Sequence, residues 1–437
     1  DLDIEILQKA WDELSNVHDM LRTNYRIENG KVIQEVLPLN SRVCEIQEVE
    51  IDEDLNGNIK EILRNAMDSL DVYSNLMEMH LIHHDAKSYL VFVLHHLIVD
   101  GVSWNVILDD LSHIYKSLLQ NNEIDLRRPY PYKNWVEDVK NLVEDISQDE
   151  KEHWIEVNAL LDESSIKGDS KLFNFSADVS FDVDNLLMLS EDEYLALSIA
   201  RAYKKTYGMD IIFNRESHGR DESLADVSRT VGWFTSQYPV PVNVNNKYDN
   251  ISLIEDVYTI KTALKDVKHL GLNYASLIYN TDELEFKYCP VTFNFLSTEF
   301  SYKNELFKTF DVDLSDVGEN SGDSLKLTVY GVSLNVFRQD DSYVFSGYYA
   351  DGTYLSDAFD EFVDNIKEEL AFISDYSYDD IVCCLSESQL GVYLDEKVND
   401  MGTAYSAPGI YECGLDKSNE EIRNAIACLV DKHPVLK

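Results

Sequence analysis

Residues 5–22, EILQKAWDELSNVHDMLR, return apolar side chains at Leu7, Ala10, Trp11 and Leu14, the spacing of one helical face. The same register recurs 415 positions later. In EIRNAIACLVDKHPVLK (421–437), Ala425, Leu429, His433 and Leu436 stand where Ala10, Leu14, His18 and Leu21 stand in the first segment. The pattern predicts a second domain of the same kind beginning near residue 384. Between these ends, short apolar runs alternate with helical periods. SNLMEMHLI (74–82) and SYLVFVL (88–94) read as strands flanking the turn HHDAK. Residues 103–119 read as a helix with Ser103 as N-cap and Ile107, Leu111, Ile114 and Leu118 facing inward. A longer helical region spans 132–157, with Trp135 and Trp154 as packing residues. SSIKGDSK (164–171) marks a lobe boundary. Beyond it come the strand NFSADVSFDV, a helix over 191–206, and the strands MDIIF, VTFNFL and YVFSGYY. Helices and strands interleaved through two similar-sized stretches predict an α/β protein in two lobes.

Composition narrows the partners. The chain has 437 residues, with 37 Lys+Arg against 81 Asp+Glu, a net charge of −44. A field of that sign argues against nucleic acid and against an anionic membrane surface as partners. The apolar run YLVFVL is far short of a membrane span, and the chain opens without a signal-peptide pattern. Cys44, Cys289, Cys383, Cys384, Cys413 and Cys428 form no CxxC pair and suit neither a zinc site nor a disulfide framework. The expectation is a reduced, cytoplasmic protein with ordinary buried thiols.

The chemistry gathers at FVLHHLIVDGVSW (92–104), a buried-looking strand that ends in His95, His96, Asp100 and Gly101. Adjacent residues on a strand point to opposite faces, so one imidazole is expected to enter a cleft and the other to face the interior. His80, His83 and His84 in MHLIHHDAK form a second cluster. The spacing invites a metal reading, but the carboxylates around it match no ligand motif, and a hairpin rich in His and Asp is the plainer account. There is no phosphate-cradling glycine loop and no lysine in a Schiff-base setting.

His95, His96, Asp100 and Gly101 match the HHxxxDG motif of the condensation-domain superfamily of nonribosomal peptide synthetases. The resemblance implies an α/β fold of two chloramphenicol-acetyltransferase-like lobes, a V-shaped pseudodimer with an active-site tunnel between them. Within the superfamily three stretches resemble the epimerization form. Val102-Ser103-Trp104 follows the glycine; RESHGRD (215–221) resembles EGHGRE, with Ser217 and Asp221 as departures; and RTVGWFTSQYPV (229–240) resembles a further epimerization motif. VTFNFLS (291–297) is similar to FNYLG, with Phe295 and Ser297 as departures and Asn294 kept. LSESQLGVYL (385–394) and DKHPVLK (431–437) look like the first two motifs of a condensation domain.

The resemblance thus implies residues 1–167 as an N-terminal lobe lacking its first strand, 168–383 as the C-terminal lobe, and 384–437 as the start of a following condensation domain that could take the vacant place. It implies a cofactor-independent amino-acid epimerase that inverts Cα of an L-aminoacyl or peptidyl thioester on the phosphopantetheine arm of an upstream carrier domain. The alternative is a peptide-bond-forming condensation domain, which shares HHxxxDG. His96 and Glu216 are the expected catalytic pair. His95, Asp100, Gly101 and Arg220 are expected to support the site, with Asp100 paired to Arg220. Ser103, Trp104, His218, Trp233, Tyr238 and Asn294 are candidates for the tunnel wall, His218 more readily as a loop anchor. No metal is expected.

Overall fold

The computed structural model describes residues 2–161, 169–179, 181–182, 187–265, 267–281, 283–296, 302–310, 312, 331–339, 342–376 and 418–432. They fall into two compact units. One comprises Asp1–Asp178, Asp210–Val242 and Ala263–Glu361, the other Val179–Met209, Asn243–Thr262 and Phe362–Lys437.

The first unit opens with α1 (Ile4–Val17), capped by the Asp3 carboxylate, which accepts from the N–H groups of Glu5 and Ile6. Leu7, Ala10, Trp11 and Leu14 are fully buried, the face that the spacing predicts. The helical stretch stops short of residue 22 and closes as a 3-10 turn, Asp19–Arg22. The hairpin β1 (Thr23–Glu28) and β2 (Lys31–Val36) follows, then β3 (Gln47–Glu50), α2 (Leu55–Ser69), β4 (Met77–His84) and β5 (Lys87–Leu94).

β4 pairs antiparallel with β5 and parallel with β3. Asp85 and Ala86, both at positive φ (49° and 57°), make a two-residue turn that suits strand twist. His83 and His84 therefore end the strand and do not belong to the turn. α3 (Gly101–Leu119) packs on α1 in the main core, and the side chains of β5 serve two cores. Leu90, Phe92 and Leu94 pack with α1 and α3, while Tyr89, Val91 and Val93 pack with α2. The helical region expected over 132–157 is two helices, α4 (Tyr132–Leu142) and α5 (Gln148–Ala159), parted by a 3-10 turn at Val143–Asp145. Trp135 and Trp154 are buried within them.

The larger sheet is mixed, ordered β6–β11–β10–β9–β7–β8. Its strands are β6 (Ser170–Ala177), β7 (Ile211–Ser217), β8 (Ser236–Val242), β9 (Val291–Phe295), β10 (Val332–Gln339) and β11 (Ser342–Ala350). β9 runs parallel to both β7 and β10; the other pairings are antiparallel. α6 (Glu191–Tyr207) and most of α7 (Asn250–Lys265) and α10 (Phe359–Ser374) belong to the second unit, whereas α8 (Leu272–Tyr279) and α9 (Tyr354–Asp357) belong to the first. The second unit is built around Arg201, which is fully buried. Its Nε donates to Glu369 at 2.7 Å, and it also pairs with Asp256.

A last helix, Asn419–Lys432, repeats α1 with both ends offset by 415, and Ser418 caps it where Asp3 caps α1. The candidate lobe boundary and the motif at 385–394 lie largely or wholly outside the described residues. Of the thiols within them Cys289 is buried, Cys44 half-buried and Cys428 exposed on the last helix, which corrects the expectation of uniformly buried cysteines. Burial pushes both Cys44 and Cys289 up to about 12, far from thiolate formation. No helix among the described residues is long and apolar enough to cross a membrane.

Candidate active site

The chain leaves the sheet at the end of β5 through a turn. His95 N–H donates to Leu76 O (2.8 Å), and Ile98 N–H donates to His95 O (3.0 Å). The two histidines are thus separated by the turn and not by the pleat of a continuing strand. His95 is half-buried, and its Nδ1 accepts the Leu97 N–H at 3.1 Å, a contact that requires an unprotonated nitrogen. Burial, and then the neighbouring His96, push His95 below the ordinary imidazole range. His96 is exposed, with its ring 5.2 Å from that of Trp233.

Asp100 is the N-cap of α3. Its carboxylate accepts the Ser103 N–H at 2.8 Å, so the expectation of Ser103 as cap is corrected by three residues. The reason lies in the tertiary structure, which buries Asp100 and holds it from several sides. Arg220 Nη2 donates to Oδ1 at 2.8 Å and lies 3.0 Å from Oδ2, and the Phe234 N–H donates to Oδ2 at 3.3 Å. Arg220 Nη1 also donates to the carbonyls of Val227 and Thr230, and its guanidinium lies 3.9 Å from the Phe234 ring centre. The Ser103 hydroxyl donates to Asp100 Oδ1 (2.7 Å) and accepts from Gly232 N–H (3.1 Å). Ser103 is 0% exposed, so its hydroxyl serves this network and presents no surface to a ligand. Gly101 is exposed, and a Cβ there would meet open space.

Glu216 sits near the end of β7, cross-strand from Gln237 on β8. Gln237 Nε2 donates to its Oε1 at 2.7 Å, and Asn294 Nδ2, from neighbouring β9, donates to its Oε2 at 3.2 Å. Two neutral amides thus hold both carboxylate oxygens, with no ion pair on Glu216 among the described residues. The loop that follows has Gly219 at φ +62°, where a Cβ would lie 1.7 Å from Phe234 O, so only glycine fits. His218 is exposed and its Nδ1 accepts the Arg220 N–H at 3.1 Å, which anchors the loop.

One stretch, 230–237, ties these groups together: Thr230 and Phe234 to Arg220, Gly232 to Ser103, Phe234 to Asp100, Trp233 to His96, and Gln237 to Glu216. Tyr238 packs on Trp154 with ring centres 6.3 Å apart. Trp104 packs edge-on against Phe92 at 6.0 Å and lines an apolar cavity of about 800 Å³. His83 Nε2 lies 3.0 Å from Glu48 and His84 Nδ1 2.8 Å from Ile51 O, and no group of three or more metal-ligating side chains is poised to hold an ion among the described residues. Gln237 is the site residue that sequence reasoning passed over. Its only signal is its place in SQYPV, and its partner becomes visible through the β7–β8 register.

Residues 1–376 match the model of the condensation domain. The chain is 26% identical over 411 residues to gramicidin S synthase 1 of Brevibacillus brevis, covering 86% of this chain and 37% of that protein. Over 399 residues it is 26% identical to surfactin synthase subunit 2 of Bacillus subtilis, covering 85% of this chain and 11% of that protein. The chain therefore spans only part of the length of these relatives. Among solved structures, the epimerization domain from the third module of tyrocidine synthetase B shares the fold with a TM-score of 0.68 at 21% identity, over 86% of this chain and 90% of that one. The X-domain from teicoplanin biosynthesis does so with a TM-score of 0.65 at 15% identity, over 87% and 90%. The chain belongs to the condensation-domain family.

Proposed function

We propose that the chain inverts Cα of an L-aminoacyl or peptidyl thioester carried on the phosphopantetheine arm of an upstream carrier domain. The observation that carries this reading is the state of Glu216, a carboxylate whose two oxygens are held by the neutral amides of Gln237 and Asn294, with no cation paired to it among the described residues. A carboxylate oriented but not neutralised is suited to accept a proton. A thioester acidifies its α-hydrogen more than an amide or carboxylate does, so no electron-sink cofactor is needed. The Cα–H bond breaks, its electron pair moves into the thioester carbonyl as an enolate, and the proton goes to Glu216. A new Cα–H bond then forms on the opposite face with a proton from His96, and exchange with water returns both groups to their starting states. Residues 384–437 are read as the start of a following condensation domain.

The test loads an L-aminoacyl carrier partner in deuterated water, hydrolyses the product and resolves its enantiomers. D-amino acid carrying deuterium at Cα is the expected result. L-amino acid recovered unchanged with a competent carrier partner overturns the reading, and a new peptide bond in its place identifies a condensation enzyme.

A further inference from the structure

We propose that the turn His269–Leu270–Gly271 is a strained clamp on the strand pair that carries Glu216, with His269 as a positioning residue acting through Asp221. The catalytic side of this inference rests on the reading of Glu216 as the base. Three successive residues of the turn adopt left-handed backbone: His269 at φ 49° and ψ 32°, Leu270 at φ 53° and ψ 30°, and Gly271 at φ 79°. Glycine is at home in that region and histidine visits it, but a leucine there is an outlier, and left-handed residues in series are rarer still. Such a conformation persists only where its surroundings over-determine it.

Both flanks of the turn are fixed to one carboxylate of α5. Ahead of it Lys268 Nζ lies 3.8 Å from Glu150 Oε2, and behind it Asn273 Nδ2 donates to Glu150 Oε1 at 2.7 Å. Between these anchors the turn grips the framework of the site. His269 Nδ1 donates to Asp221 Oδ2 at 2.6 Å. The Ser236 hydroxyl donates to the Leu270 carbonyl. Gly271 lies against the Tyr238 ring, where a Cβ would stand 1.9 Å from Cδ1, so only glycine fits.

What the turn holds is the support of Glu216. Side chains alternate along β8, so Ser236 and Tyr238 face away from Gln237. The turn therefore presses on the back of the segment whose front binds Glu216 through Gln237. Asp221 stands in the loop that follows Glu216, beside Arg220, which is bonded to Asp100 at the cap of α3. Against the desolvation of burial, hydrogen bonds from Ser223 and His269 hold the Asp221 carboxyl below the ordinary carboxylate range, so it is the acceptor of this pair. Relaxing His269 or Leu270 into right-handed backbone would redirect the imidazole and the carbonyl. The strain is what aims both groups at the loop and the strand.

Two substitutions in the full chain separate the roles. His269→Ala removes the donor, whereas His269→Asn keeps a donor near the place of Nδ1 on a residue that tolerates left-handed backbone. His269→Ala is expected to speed hydrogen exchange of residues 217–223 and 236–238 about tenfold and to leave β10 and β11 of the same sheet unchanged, with His269→Asn close to the parent. In the Cα deuterium assay, His269→Ala is expected to lower kcat about 10–100-fold at unchanged KM, because Glu216 is misaimed and not removed, and His269→Asn to restore most of it. Unchanged hydrogen exchange in His269→Ala overturns the clamp, and faster exchange spread evenly over β10 and β11 reduces the turn to a structural support and overturns it too. Local loosening with kcat unchanged in an active parent, or a rise in KM in place of the fall in kcat, overturns the positioning role. A parent that yields no D-amino acid fails the epimerase reading alone, and hydrogen exchange still decides the clamp. If His269→Ala does not fold, Leu270→Gly, which frees the backbone and keeps the hydrogen-bonding groups, decides by the same measures.

Discussion

At the scale of single residues, two carboxylates, Asp100 and Glu216, are held in different ways. Asp100 and Arg220 are buried partners, so removing one strands the other. Arg220→Met is expected to cost about 3–5 kcal/mol in urea unfolding. Adding Asp100→Asn to that variant should recover part of the loss, because the two positions are coupled. Glu216 is held by neutral groups, so, if the proposed epimerization holds, Glu216→Gln should lower Cα deuterium exchange by about 10²–10⁴-fold with the unfolding midpoint unchanged. His95 carries a pH dependence. Its folded-state affinity for protons is depressed by burial and by His96, and protonating Nδ1 would break the bond from Leu97. Stability from this group is fully present above the ordinary imidazole range and is lost as pH falls below about 6.5. A thermal midpoint that did not decline between pH 7 and pH 5.5, or a His95→Gln variant that declined as steeply as the parent, would count against that assignment.

At the scale of elements, two glycines make opposite predictions. Gly219 joins β7 to the loop that returns to β8, and its Cβ position is already filled by Phe234 O. Gly219→Ala should cost about 2–3 kcal/mol and shift the register that brings Gln237 to Glu216. Gly101 opens α3 with free space around it, so Gly101→Ala should leave unfolding within about 0.5 kcal/mol of the parent. Periodicity located α1, β5, α3 and α6 because each of them buries a regular set of apolar positions, and the period survives in one dimension. It extended α1 through a 3-10 turn, merged α4 with α5, and put His83 and His84 in a turn. Each of these errors lies at an end, where the break depends on contacts such as His18 Nε2 with Asp110 (2.9 Å), 92 residues apart. Asp100 as cap was missed for the same reason, since Ser103 looks equally able to cap until Arg220 and Phe234 are seen to converge on Asp100.

At the scale of the whole molecule, the net charge of −44 sets a self-repulsion that compact folding must work against. Salt screens it over a Debye length of about 10 Å at 0.1 M. Raising sodium chloride from 20 to 300 mM is therefore expected to raise the thermal midpoint by several degrees, read by circular dichroism. A falling midpoint would mean that surface ion pairs such as Lys151–Glu283 contribute more than the net field removes. The buried Arg201 triad is shielded from added salt and should be indifferent to it.

What the sequence by itself determined is what is local or repeated: the helical faces, the two-sided apolar run of β5, the HHxxxDG motif and its family, and the return of the first helix 415 residues later. These are legible because a period or a motif needs only its neighbours. What only the tertiary structure decided is which distant groups meet. Asp100 and Arg220 are 120 residues apart, Glu216 and Asn294 are 78 apart, and Gln237 reaches Glu216 through a strand register that no local pattern encodes. Side-chain chemistry can be read along the chain, but the partners that make one carboxylate a cap and a buried ion, and leave another held by neutral amides, are set by packing.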